Sequence, residues 1–111
     1  MPPAPVEPVV RALAGRIVGD AIGEPDATIL DQTAAALGRK LDGMPRHLRA
    51  GMIALTAIFD RAGSPPFHAA PPEVQRRRIA RWKRLGGPTR DFFAFYEKMS
   101  LFLYLSIEHG E

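Results

Sequence analysis

The chain contains no cysteine, which removes disulfides, thiolate metal sites and cysteine nucleophiles at once. The lack of disulfides is compatible with a reducing compartment. No Gly-x-Gly-x-x-Gly run occurs, so this chain cannot hold a dinucleotide by that glycine turn. Nothing alternates apolar and polar residues over strand length, and β-branched residues are scattered, which argues against a sheet. Met1-Pro2-Pro3-Ala4-Pro5 offers neither a charged start nor an apolar stretch, so no secretory signal is read there. Arg76-Arg77-Arg78 lies too deep to be a twin-arginine signal. The expected location is therefore cytoplasmic, unless a partner carries the chain out.

Acid–base and metal chemistry are also thinly supplied. His47, His68 and His109 fall on different elements without finger-like or helical ligand spacing, and each reads as a surface histidine. Glu24 and Asp26 sit in a turn, and Asp60 stands alone at a helix end. Neither arrangement suggests a matched acid and base. No catalytic, cofactor-binding or metal-binding residue is assigned.

What remains is a helical protein. A length of 111 residues fits one domain. With 46% hydrophobic and 24% charged residues, the chain is too apolar for disorder and too charged for a membrane protein. Residues 1–5 read as a proline-rich tail, 6–108 as the helical domain and 109–111 as a short tail. The expected fold is all-α: five helices in an orthogonal or irregular bundle, with an apolar helix last.

Proline and glycine set the boundaries. The first helix is predicted over Val6 to Ile22, with Val6, Val10, Leu13, Ile17 and Ala21 inward. Asp26 or Thr28 caps the second, which runs to about Leu41 and presents Leu30, Ala34, Leu37 and Leu41. Pro45 opens the third, striped by Leu48, Met52, Leu55 and Phe59, with Ile53 and Ile58 on its shoulders. Gly63 to Pro72 is the longest irregular stretch, and Phe67 is its expected anchor. Pro71-Pro72-Glu73 starts the fourth helix, which ends at Gly86-Gly87. The fifth runs from about Thr89 to Glu108.

The last two helices carry the information. In the fourth, Val74, Ile79, Trp82 and Leu85 share one side, while Arg76, Arg77, Lys83 and Arg84 share the other. Arg78 and Arg81 fall on or beside the apolar stripe. Either their stems lie along the core with the heads in water, or one of them pairs with a carboxylate, within the domain or on a partner. The fifth helix is apolar nearly all round. Phe92, Tyr96, Met99 and Leu103 make one face, Phe93 and Tyr104 another, Phe95 and Phe102 a third, with Leu101 and Leu105 opposite the first. Glu97 and Lys98 interrupt it, and its strongest run is too short to span a bilayer. Such a helix is either wrapped by its neighbours or covered in part by another protein.

Ile79-Ala80-Arg81-Trp82-Lys83-Arg84, Gly87-Pro88-Thr89-Arg90-Asp91-Phe92-Phe93 and Leu101-Phe102-Leu103-Tyr104-Leu105-Ser106 together resemble a known pattern. It is a tryptophan helix, a short turn, an aromatic pair, then an aliphatic–aromatic helix ending near a tyrosine and serine. This is similar to the small helical domain associated with FAD-dependent oxidoreductases of the glucose–methanol–choline class. That domain is N-terminal in long-chain alcohol oxidases and is a separate small, gamma-like subunit in sugar and gluconate dehydrogenases. The overlap covers the last third of the chain. The resemblance implies a non-catalytic subunit that stabilises a larger flavoprotein subunit, with FAD held by that partner. The implied contacts are Arg78, Arg81 and Trp82 on the fourth helix, and Phe92, Phe93, Phe95, Tyr96, Phe102 and Tyr104 on the fifth. The small subunits of the sugar dehydrogenases usually carry an export signal, and none is read here.

The rival reading is a basic nucleic-acid-binding module, because Arg76 to Arg84 holds six cations in a chain of pI 9.8. Two features count against it. The connection before this helix is about ten residues and proline-rich, unlike a helix-turn-helix corner. Its exposed face offers only Gln75 for reading base edges.

Overall fold

The computed structural model describes residues 7–110. Five α-helices and one short 3₁₀ turn make up the fold, with no strand among the described residues. They are α1 (Glu7–Ile22), α2 (Ala27–Asp42), α3 (Arg46–Arg61), α4 (Pro72–Lys83) and α5 (Pro88–Glu108), with the 3₁₀ turn at Phe67–Ala69. The five-helix all-α expectation is met. Val6, the proline-rich first residues and Glu111 lie outside the described residues.

The turns follow from local chemistry. Asp26 caps α2, its carboxylate accepting the Ile29 N–H at 3.1 Å. Pro72 and Pro88 each lie in the first turn of their helices, where a missing N–H costs nothing. Between α4 and α5, Gly86 and Gly87 both take positive φ, 68° and 58°, a conformation that a side chain would resist.

Helix α5 lies against α1 and α2, which also contact each other. Helix α3 and the 3₁₀ turn close one end. The core joins Val9, Val10, Leu13 and Ala14 of α1 to Leu30, Leu37 and Leu41 of α2, and to Phe92, Phe93 and Tyr96 of α5. No helix among the described residues is long and apolar enough to cross a membrane.

Three stripe assignments are corrected. On α1, Val9, Ala14 and Val18 are buried while Ala21 is exposed. Packing on both α2 and α5 turns and widens the inward face beyond a single 3–4 seam. On α3, Phe59 is fully buried and Met52 and Leu55 pack against the core as expected, but Leu48 is 53% and Ile58 58% exposed. Leu85 falls past the end of α4 and is 69% exposed.

Candidate functional site

An aromatic cluster joins the ends of α3, α4 and α5. Phe59 is its hub. Ring centroids lie 4.7 Å away at Phe67, 5.0 Å at Trp82, 5.3 Å at Phe93 and 6.2 Å at Phe92. The Trp82 and Phe93 pairs are edge-to-face, the favoured geometry for quadrupolar rings. Phe67 thus anchors the irregular segment, as expected. Trp82 spends most of its ring on Phe59 and Phe92 and is partly buried.

These positions decide which of the nine expected contact residues are available. Phe92, Phe93, Tyr96 and Tyr104 are buried inside the domain, so their assignment to an external surface is corrected. The physical reason is that α1, α2 and the end of α3 cover two of the aromatic faces of α5. The third face is less covered. Phe95 is partly buried against Tyr96, at a centroid distance of 5.3 Å, whereas Phe102 is 61% and Leu105 38% exposed.

The two arginines part company. Arg81 is exposed. Arg78 is buried, with its head neither left in water nor paired with a carboxylate of this domain. Its guanidinium donates to the Pro65 carbonyl at 2.8 Å and to the Asp60 carbonyl at 3.4 Å. It turns inward onto the loop and meets neutral oxygens, without a carboxylate. Gly63 makes room for it, since a Cβ there would come within 2.7 Å of Arg78 Nη2.

Asp60 does not stand alone. Its carboxylate accepts from the His68 backbone N–H at 2.9 Å and lies 2.9 Å from His68 Nδ1. One residue therefore fastens both ends of the proline-rich loop: its side chain binds His68 and its carbonyl binds Arg78. Sequence reasoning missed this, and the only signal was an acid closing one helix eight positions before a histidine. Gln75 completes the attachment, donating to the Phe67 carbonyl at 2.9 Å while Arg16 donates to its Oε1 at 3.2 Å.

The cations of α4 divide by face. Arg76 pairs with Asp20 of α1 at 2.9 Å, and Lys83 with Glu97 of α5 at 2.6 Å. Arg77, Arg78, Arg81 and Arg84 meet no carboxylate within ion-pair distance among the described residues. No group of three metal-ligating side chains comes together among the described residues.

No family model, curated protein or solved structure matches this chain. The flavoprotein reading therefore rests on the motif resemblance and on the surface chemistry of α5.

Proposed function

We propose that this chain is a non-catalytic helical subunit that binds and stabilises a larger FAD-dependent alcohol or sugar oxidoreductase of the glucose–methanol–choline class. The observation that carries the docking part is Phe102, a large ring left outside on a helix whose other faces are packed. Phe95, Phe102 and Leu105 share one side of α5 at spacings of seven and three, a pattern of anchors suited to a hydrophobic groove. Covering the exposed part of the Phe102 ring removes apolar surface worth about 1–2 kcal/mol of transfer free energy, before the costs of association. The large chain would hold FAD and perform the oxidation, and this chain would supply a preformed face. The accessible edge of Trp82 is its contact on α4.

The exposure of Phe102 makes a clean test possible. The chain is co-expressed with a large flavoprotein of this class from the same genome, and the complex is isolated by a tag on the small chain. A yellow complex is expected from the native pair and none from Phe102→Asp, whose isolated domain should melt as the native one does. Phe92→Asp, by contrast, should unfold the domain. A Phe102→Asp chain that still retains the flavoprotein in full would overturn the reading.

A further inference from the structure

An open cavity of about 420 Å³ lies between the loop after α3 and one face of α4. Ala62, Gly63 and Ser64 form the loop side. Val74, Arg77, Arg78 and Arg81 form the helix side, at the i, i+3, i+4, i+7 spacing that puts them on one face. Three arginines thus line one space, and no acidic residue does. Asp60, which closes α3, binds His68 through its carboxylate, and neither it nor Glu73 is among the lining residues.

We propose that this cavity binds the phosphate group of a small phosphorylated molecule, a phosphomonoester, independently of the docking face on α5. The pairing pattern on α4 is the first argument. Where α4 meets α1 and α5 its cations are matched by Asp20 and Glu97, but on the cavity side three are left without a counter-charge. Like charges so close repel one another, and a bound dianion converts that repulsion into attraction.

Pre-organisation is the second argument. Arg78 is fixed by the Asp60 and Pro65 carbonyls and by the space that Gly63 leaves. Arg77 and Arg81 are exposed and free to close from either side. One held guanidinium with two mobile ones suits a tetrahedral group with three terminal oxygens. A single carboxylate has only two oxygens and one charge, and leaves one arginine unused. Size is the third argument. The volume falls in the range of small-molecule pockets and exceeds what a bare phosphate fills, and Val74 and Ala62 supply an apolar wall for the organic part of an ester.

The test uses the full chain and titrates phenyl phosphate, inorganic phosphate, benzoate and a short DNA duplex at low salt. Binding is followed by calorimetry and by the arginine side-chain resonances. Phenyl phosphate should bind more tightly than inorganic phosphate, with benzoate weaker than both. Arg77→Ala with Arg81→Ala should weaken phenyl phosphate at least about tenfold, while Arg39→Ala with Arg49→Ala, neither of which lines the cavity, should change nothing. All four positions are exposed or half-exposed, so folding is preserved. Equal binding of inorganic phosphate and its ester would overturn the proposed ligand class. Phenyl phosphate binding that survives loss of Arg77 and Arg81 would overturn the site. So would duplex binding that Arg76→Ala with Arg84→Ala weakens as much as the cavity pair does, since the basic face would then act as a diffuse stripe along α4.

Discussion

Tyr96 on α5 and Thr56 on α3 are joined hydroxyl to hydroxyl at 2.9 Å in the interior. Thr56 Oγ1 also lies 2.7 Å from the Met52 carbonyl and spends its only proton there. Tyr96 is therefore the donor of the pair. Burial pushes its phenol from the usual value near 10 up to about 12. In the unfolded chain the phenol ionises near 10, so between pH 10 and about 12 the unfolded state binds fewer protons than the folded one. Stability must fall with rising pH across that window, by about 2–3 kcal/mol at most from this residue. Tyr96→Phe should cost about 1 kcal/mol at neutral pH and lack this component. Urea unfolding at pH 8, 10 and 11 should show the two proteins drawing together as pH rises. Parallel curves would show that the phenol contributes no such linkage.

A second hydroxyl does something the sequence of α2 cannot do for itself. In a capping box the residue at N3 reaches back to the N–H of the cap residue, but here N3 is Ile29. Tyr104, 78 positions along the chain, takes that role: its Oη accepts the Asp26 N–H at 2.8 Å. Tyr104→Phe should keep the ring buried yet strand that N–H, at a cost of about 1 kcal/mol. Amide exchange in the first turn of α2 should speed up more than in its middle. Uniform protection along α2 in the variant would argue against this role.

Tyr104 also marks the limit of what was legible. Helix number, order and most boundaries could be read because proline and glycine act locally: Pro72, Pro88 and Gly86-Gly87 end or begin helices whatever surrounds them. The Phe67 anchor was legible because it is the one large apolar residue in a polar, proline-rich segment. The faces of α5 were not. A helix apolar all round has no periodicity to say which rings a neighbour will cover, so Phe92, Phe93, Tyr96 and Tyr104 read the same as Phe102 until α1 and α2 were in place. Arg78 was misread for a related reason. Its partners are backbone carbonyls, and a sequence does not show where a loop turns its carbonyls.

Ser100 is fully buried on α5, and its Oγ has no hydrogen-bond partner among the described residues. A buried hydroxyl without a partner costs free energy that a methyl group does not, and alanine is also the better helix former. Ser100→Ala should therefore leave the protein as stable as before or raise its stability by up to about 1 kcal/mol, read as an unchanged or higher urea midpoint. A loss of about 1 kcal/mol or more would mean that the hydroxyl does hold a partner, such as an ordered water.

Gly63 is the residue whose importance lies entirely in its neighbour. Its φ is not among the positive values found at Gly23, Gly86, Gly87 and Gly110, so alanine fits the backbone there. The obstacle is Arg78, whose Nη2 lies 2.7 Å from where the new Cβ would stand. An exposed arginine would swing aside at almost no cost. This one is buried and bonded to two carbonyls, so moving it gives up both hydrogen bonds, at about 1–3 kcal/mol. A double-mutant cycle isolates the effect. Gly63→Ala alone should destabilise, and so should Arg78→Ala. In the Arg78→Ala background the three atoms closest to the added methyl are gone, and Gly63→Ala should become neutral or gain up to about 1 kcal/mol by restricting the unfolded chain. The coupling should therefore be as large as the single-mutant cost of Gly63→Ala. Additive costs would mean that Gly63 matters for some property of the loop itself and that the Arg78 contact is incidental.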